Sequence, residues 1–488
     1  MKNGFFGNYQ RDYTTVLLPM GIVLLNLILK GMFLGSNSLG GDEPFSVYHA
    51  QMDVFSIVNH LSTGNNPPLY ELILHFWIDC FGISEFSVRV PSLIFNCITV
   101  LCLYKIGKEF FNVRVAVYAS LMFVFSNYQI FFSHEARVYA LMGMLTTVSM
   151  LYFLKIARNS EGEKRNRVVL ICANVFLIYA HYFGFFVLLV QGLFILFSGK
   201  LRLEHGRFLW WSVVMYFVLY LPNITVVVHR ALESSSGKQW VNSPGGLEDM
   251  YNIVRGYTNA PVVTVVSLVF LSLALLKYLL IKTEKSTIQT RVIIVWFLFP
   301  FLLMFLISYW VPIFTDSYLM FVSIAFCLLL AIACDSLIEK KLYRFIVPVI
   351  MCVLFLVTAK PNFSNGRNVR DAVAKMKDLE KPNTLVLFCP SYFMLNFTYY
   401  YDRALFSRYN TKDIYGNMNT FLNKRNIYGI GDVKQVDLEK YQRVVYLDAA
   451  ASFSFPNNNI LNTLEQTYYK KSSFEFRDIF TVYEFETK

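Results

Sequence analysis

Residues 13 to 34 read YTTVLLPMGIVLLNLILKGMFL, and the ten that follow read GSNSLGGDEP. The first stretch is apolar for about twenty residues, enough for a helix to cross roughly 30 Å of hydrocarbon. No small-residue cleavage pattern follows it, so it reads as a retained first span and not as a signal peptide. From Gly35 to Val88 the chain then contains no Lys or Arg, while Asp42, Glu43, Asp53, Glu71, Asp79 and Glu85 all fall within it. A membrane helix therefore delivers an acidic loop to the membrane surface, the opposite of what a lipid-headgroup anchor requires.

The rest of the chain extends this reading. Of 488 residues, 55% are hydrophobic and 16% charged, with a mean hydropathy of +0.44, which argues against a single soluble domain. Aromatic residues reach 17%, too many for a disordered chain. With residues 13 to 34, further runs near 89 to 107, 114 to 133, 136 to 156, 168 to 181, 183 to 199, 208 to 228, 261 to 281, 291 to 311, 318 to 337 and 343 to 359 predict about eleven transmembrane helices. The run of 168 to 181 and the one after it are short and fit a tilted or half-buried helix.

The formal charge of +11 points to a membrane, not to nucleic acid, because most Lys and Arg residues flank spans. With the N-terminus cytoplasmic, inner connections hold Lys2, Arg11, Lys105, Lys108, Arg114, Lys155, Arg158, Lys164, Arg165, Arg167, Lys200, Arg202, Arg207, Lys277, Lys282, Lys285, Arg291, Lys340, Lys341 and Arg344. Outer positions hold Lys30, Arg89, Arg137, Arg230, Lys238 and Arg255. That bias sets the orientation and leaves the tail after residue 360 on the outer side. Two regions follow: a membrane region over 1 to 359, with the outer loop 35 to 88, and a soluble region over 360 to 488. The tail has no membrane-length apolar run. Thr384 to Cys389 and Arg443 to Leu447 predict buried strands, each followed by a helix, and Phe474 to Glu486 predicts a closing hairpin, together a small α/β structure. No glycine-rich nucleotide fingerprint follows either strand, so the tail is given no chemistry of its own. The eight Cys are scattered singly, which indicates neither a disulfide framework nor a thiolate metal site.

In the outer loop, Phe45, Tyr48, Met52, Phe55 and Val58 recur at three and four residues, predicting one helix with an apolar face lying on the bilayer. A second interfacial helix opens at Pro67-Pro68-Leu69 and carries Glu71, His75 and Asp79 on one face. Asp42-Glu43 stands at the leading edge. Helix capping accounts for such a pair by spacing alone. Its company is the argument for more: Arg137 in a short outer turn after Ser133-His134-Glu135-Ala136, and Arg89 opening the second span. Charges at that depth are costly unless paired or functional. Arg89 and Lys30 have an ordinary alternative in snorkelling to the headgroups, Arg89 also in pairing with Glu85. Arg137 has one in pairing with Glu135. His49, His60, His75, His134, His181 and His229 cluster on the outer side, as around a polar cavity, but none has metal-ligand spacing and no metal is expected.

Gly41-Asp42-Glu43, Asn66-Pro67-Pro68-Leu69, Ser84-Glu85-Phe86-Ser87-Val88-Arg89-Val90-Pro91-Ser92 and Ser133-His134-Glu135-Ala136-Arg137-Val138-Tyr139-Ala140-Leu141 resemble successive landmarks of the GT-C glycosyltransferases. The closest resemblance is to bacterial relatives of the protein O-mannosyltransferases and lipid A aminoarabinose transferases, over the first 160 residues or so. It implies a polytopic helical fold with an outer-facing α/β domain, a multi-pass protein of a bacterial inner membrane, and a sugar donor carried on polyprenyl phosphate. It also implies an acceptor glycan, lipid or protein at the outer face. The resemblance makes Asp42 and Glu43 the catalytic pair. It places Arg137 and Tyr139 at the donor phosphate, with Glu135, Arg89, His181 and Tyr318 as further substrate contacts. It departs at Thr315-Asp316-Ser317-Tyr318, which keeps only the Tyr of an Arg-Tyr pair, and no trefoil-like inserted domain interrupts the spans.

The implied chemistry is self-consistent. An acceptor hydroxyl attacking the anomeric carbon needs a base, and Asp42 is the one expected. A lipid phosphate leaves and needs charge stabilisation, which an Arg provides. That combination implies inversion, whereas retention would require Glu43 as a nucleophile. The loop from Arg230 to Ala260, with Ser243-Pro244-Gly245-Gly246, reads as a gate. Two other readings stand beside the enzyme: a transporter or flippase of a lipid-linked glycan, and a structural membrane subunit with an outer interaction domain.

Overall fold

The computed structural model describes residues 13–61, 66–234, 243–280, 287–408, 413–455, 457–476 and 479–488, without side chains for part of 225–234. Lys2, Arg11, Lys238, Lys282 and Lys285, and the middle of the expected gate, lie outside the described residues, and the side chains of His229 and Arg230 are not described. By packing, the chain forms two units. One holds Met1–Met32, Leu61–Tyr70 and Arg89–Pro361; the other holds Phe33–His60, Glu71–Val88 and Asn362–Lys488.

The first unit is helical. Among the described residues, Tyr13–Gly31, Glu85–Phe110, Tyr139–Ala157, Pro261–Leu280, Ile288–Ile307 and Ser317–Leu337 are long and apolar enough to cross a membrane. The bent pair Val113–Phe125 and Asn127–Ser133 makes seven if it counts as one span. Gly184–Phe197 and Ile346–Thr358 are apolar but shorter, and Glu163–Ala180 opens on Glu163, Lys164, Arg165 and Arg167. The chain is thus a multi-pass helical membrane protein, and a count of eleven is not confirmed. Met320–Leu337 is apolar and buried along nearly its whole length, as suits a central helix enclosed on all sides. One network of polar groups inside is well paired: Asn174 Nδ2 donates to Gln191 Oε1 and the Tyr216 hydroxyl, both at 2.9 Å, and Gln191 Nε2 donates to Ser149 Oγ at 2.6 Å. Such bonds tie helices together where lipid offers no competing partner. Asp335 is held likewise by Arg114 at 2.7 Å and by Asn112 at 2.9 Å.

The expected single span over 114 to 133 is instead broken, bending by 64°. Ser126 adopts an extended conformation (φ −69°, ψ 122°), which exposes backbone groups on both sides of it. Asn259, itself at φ +68°, satisfies them: its side chain accepts from Asn127 N at 2.6 Å and donates to Phe125 O at 2.9 Å. A broken helix is tolerated at such depth when side chains replace the lost ladder.

The second unit joins the outer loop to the C-terminal region. Its five-stranded sheet runs β2-β1-β3-β5-β4, with β1 Thr384–Cys389, β2 Ile427–Gly429, β3 Arg443–Ala449, β4 Tyr468–Phe476 and β5 Phe480–Thr487. β1 lies parallel to β2 and β3, while β5 returns antiparallel beside β3. The two expected strands and the hairpin are present, and the hairpin starts earlier than its apolar end suggests. Leu385, Leu387, Val444, Tyr446 and Phe485 close the core against Ile460 and Leu464. The expected helix from Glu43 to Val58 is two helices, Glu43–Ala50 and Val54–Leu61. Asp53 interrupts it, accepting from Ser56 N at 3.0 Å as the cap of the second helix. In consequence Tyr48 and Met52 are buried while Phe55 is 80% exposed, so they do not share one face.

Candidate active site

In the second unit, Asp42 and Glu43 sit on a turn that favours glycine. Gly41 has φ +56°, a left-handed conformation that costs an ordinary residue about 1 kcal/mol. Glu43 is fully buried and its Oε2 accepts from Gly40 N at 3.2 Å, closing the turn on itself. Asp42 precedes the helix Glu43–Ala50, and its backbone carbonyl accepts from Ser46 N at 3.2 Å. Its side chain makes no capping hydrogen bond, so ordinary capping does not explain the carboxylate. Asp42 is exposed. Tyr415 lies within its electrostatic reach: burial pushes the phenol upward and the Asp42 charge adds to that. Beneath, Ser46 Oγ donates to Glu71 Oε1 at 2.7 Å, and His75 Nδ1 contacts Ala50 O at 2.9 Å, which fixes the helix Leu69–Phe81 against Glu43–Ala50.

In the first unit the turn carrying Arg137 is tied down on both flanks. His134 Nε2 meets Lys30 O at 2.6 Å, and Ser92 Oγ donates to Glu135 O at 2.7 Å. Glu135 and Arg137 are buried, as is Arg89, at 1% exposure; Glu85 pairs with Arg370 at 2.9 Å. Lys30 is fully buried as well, donating to Asn96 Oδ1 at 2.9 Å and lying 4.7 Å from the Phe123 ring centre. Neither Arg89 nor Lys30 reaches the surface as a snorkelling chain would, and for Lys30 the Asn96 amide inside the bundle replaces the water that snorkelling would seek.

Three sequence-predicted residues meet around His181. Its ring centre lies 6.2 Å from that of Tyr139 and 5.7 Å from that of Tyr318, and Phe183 packs on Tyr318 at 4.7 Å. Arg137 is near enough to act on His181 electrostatically. His181 Nδ1 accepts from Phe183 N at 3.1 Å, and its Nε2 is buried with no protein partner, an atom that calls for a ligand or water. Two tyrosines continue the aromatic wall: Tyr128 packs on Tyr257 at 5.0 Å and on Phe132 at 4.8 Å, and the Tyr128 hydroxyl donates to Asp316 O. The Asp316 residue keeps exposed surface, yet surrounding protein desolvates its carboxyl and raises its pKa.

The sequence signals missed two parts of these surroundings. Asp316 was visible only as a departure from an Arg-Tyr pair. The Gly40-Gly41 pair was the signal for a tight turn before the acids. Among the described residues no group of three His, Cys, Asp or Glu side chains is placed to hold a metal ion; His49 and His134, like His75, contact backbone carbonyls instead.

Residues 65–226 match the family described as dolichyl-phosphate-mannose-protein mannosyltransferase. No curated protein matches the sequence. Among solved structures, apo ArnT from Cupriavidus metallidurans superposes with a TM-score of 0.60 at 11% identity, over 95% of this chain and 97% of that one. ArnT bound to undecaprenyl phosphate gives 0.56 at 12% identity over the same shares. An oligosaccharyltransferase of Archaeoglobus fulgidus tethered to an acceptor peptide containing the NVT sequon gives 0.54 at 11% identity, over 99% of this chain and 75% of that one. The chain has the fold of ArnT and of the archaeal oligosaccharyltransferase.

Proposed function

We propose that this chain transfers a sugar from a polyprenyl-phosphate donor to an acceptor at the outer face of a bacterial inner membrane, with Asp42 as general base. The observation that carries the reading is the Asp42 carboxylate: exposed and mounted on a turn locked by Gly41 and Glu43. A carboxylate so presented can accept the proton of an attacking hydroxyl. Glu43, buried and bonded to Gly40, holds the turn in this scheme, which leaves one accessible carboxylate and favours inversion. Arg137, with Tyr139, His181 and Tyr318 around it, binds the lipid phosphate; Arg89 and Glu135 support that turn. The binding of undecaprenyl phosphate by ArnT, a protein of the same fold, supports the donor class. In this reading the chain crosses the membrane eleven times from a cytoplasmic N-terminus, residues 1 to 359 carry the catalysis, and residues from 360 onward form the outer domain.

The test is to incubate the purified full chain with polyprenyl-phosphate sugars and candidate acceptors, and to follow both the sugar-bearing product and the anomer formed. A product of inverted configuration that requires the Asp42 carboxylate is expected. One observation favours a second reading, lipid-linked glycan transport: the helix break at Ser126, since transporters use discontinuous helices. Movement of lipid-linked glycan across vesicles by the Asp42→Ala variant, with no transfer product from wild type, would establish that reading instead.

A further inference from the structure

The acidic turn does not stand on its own side of the second unit; it is built by the segment that follows the last span. Asn37 Nδ2 donates to Phe363 O at 2.9 Å, Asn365 Nδ2 to Ser38 O at 3.1 Å, and Arg370 N to Ser38 Oγ at 3.1 Å. From the sheet side, the Tyr400 hydroxyl accepts from Leu39 N at 2.6 Å and Asn396 Nδ2 donates to Gly41 O at 3.1 Å. Residues 37 to 41 are thus clasped between a strap at 363–370 and the helix Met394–Tyr401.

Arg367 lies at the centre of this clasp. Its backbone N–H is held by Asn365 Oδ1 at 3.0 Å, just after Gly366 at φ +70°. Its side chain runs over the two glycines so closely that a Cβ on Gly40 would come within 2.5 Å of Arg367 Cδ and 2.8 Å of its Cβ. A Cβ on Gly41 would lie 2.9 Å from Nη1 and 3.0 Å from Cζ. The guanidinium therefore rests on the residue immediately before Asp42. Both glycines are needed, Gly40 to admit the Arg367 chain and Gly41 for its left-handed φ.

We propose that Arg367 is a positioning residue for the reaction: packed on Gly40-Gly41, it fixes the direction of the Asp42 carboxylate and brings a positive charge beside it. The proposal rests on Asp42 being the base. It gives the C-terminal region, which carries no chemical signature in sequence, a part in the active site. A misdirected base slows the chemical step without weakening donor binding, since positioning acts on the transition state alone.

The experiment uses the full chain in detergent, with undecaprenyl phosphate as the binding probe and transfer measured from the polyprenyl-phosphate sugar active with wild type. Arg367→Ala lowers kcat about tenfold or more while undecaprenyl phosphate affinity stays within about twofold. Arg367→Lys, which keeps the charge and most of the chain, recovers part of the loss. Gly40→Ala displaces Arg367 without removing it and lowers kcat similarly, and the Gly40→Ala/Arg367→Ala pair is no slower than Arg367→Ala alone, since both act through one contact. Independently of any donor, amide exchange over residues 39–46 rises about tenfold in Arg367→Ala. An unchanged kcat and exchange rate, additive losses in the pair, or a parallel loss of lipid affinity overturns the proposal. Asp42→Asn in the same assay separates the two claims: if it is inactive while Arg367→Ala is normal, only the role of Arg367 fails; if it is active, the catalytic reading itself fails.

Discussion

The acidic turn and the His181 cluster are built from opposite materials. The turn is made of glycines, backbone hydrogen bonds and two carboxylates, and it leaves Asp42 exposed. The cluster is made of Tyr139, His181, Phe183 and Tyr318, with Arg137 and His181 buried among helices. A reacting group must be reached by its substrate and held in one direction, which favours a small rigid turn. A group that binds a phosphate gains from being desolvated, since a charge-assisted hydrogen bond strengthens in a dry setting. Under the proposed function, the first region serves turnover and the second donor recognition.

Substitutions can break that division. Asp42→Asn carries the largest expected effect, a loss of about 10²–10⁴ in kcat, the span of a removed general base. Arg137→Ala is expected next, weakening undecaprenyl phosphate binding about ten- to a hundredfold through loss of a charged hydrogen bond worth roughly 1.5–3 kcal/mol. Equilibrium binding checks it, and a change confined to protein yield would make Arg137 structural. His181→Phe is smaller, about fivefold in the same affinity, with a stability loss held to about 1 kcal/mol, because Nε2 has no protein partner and only the Nδ1 acceptor of Phe183 N is lost. A fall in melting temperature without a fall in affinity would contradict that placement. Smallest is Lys30→Met: it leaves activity alone and costs about 1 kcal/mol, from the Asn96 oxygen it strands, and adding Asn96→Leu restores stability. Thermal melts of the two variants decide it.

How legible these regions were in sequence follows the range of the forces that make them. Thr384 to Cys389 declares itself as a strand because six consecutive apolar or β-favouring residues need burial on both faces. Ile427–Gly429 does not, being three residues that pair only because β1 offers an edge. The break at Ser126 falls at the short polar stretch Ser126-Asn127-Tyr128-Gln129 between apolar runs, and the side chain that stabilises it comes from the distant Asn259. Asp42, Glu43 and Arg137 stood out because ionisable residues beside a membrane are conspicuous by their cost, while spacing alone fitted helix capping for the two acids and only the resemblance gave them a catalytic role. Lys30 was equally conspicuous, yet its partner Asn96 lies on another helix and sequence offered only the headgroups. Arg367 was hidden for a similar reason: its contacts with Gly40 and Gly41 join positions more than 300 residues apart, and nothing local marks it out from other basic residues of the tail.

The most direct measurement is single-turnover sugar transfer by the purified full chain and its Asp42→Asn variant, at saturating polyprenyl-phosphate donor and with donor binding measured on the same preparations. Transfer by the wild type, lost in the variant while donor affinity is retained, is the predicted result. Transfer at the wild-type rate by the Asp42→Asn variant would contradict the account, because no group in the proposed mechanism other than the Asp42 carboxylate is assigned to take the acceptor's proton.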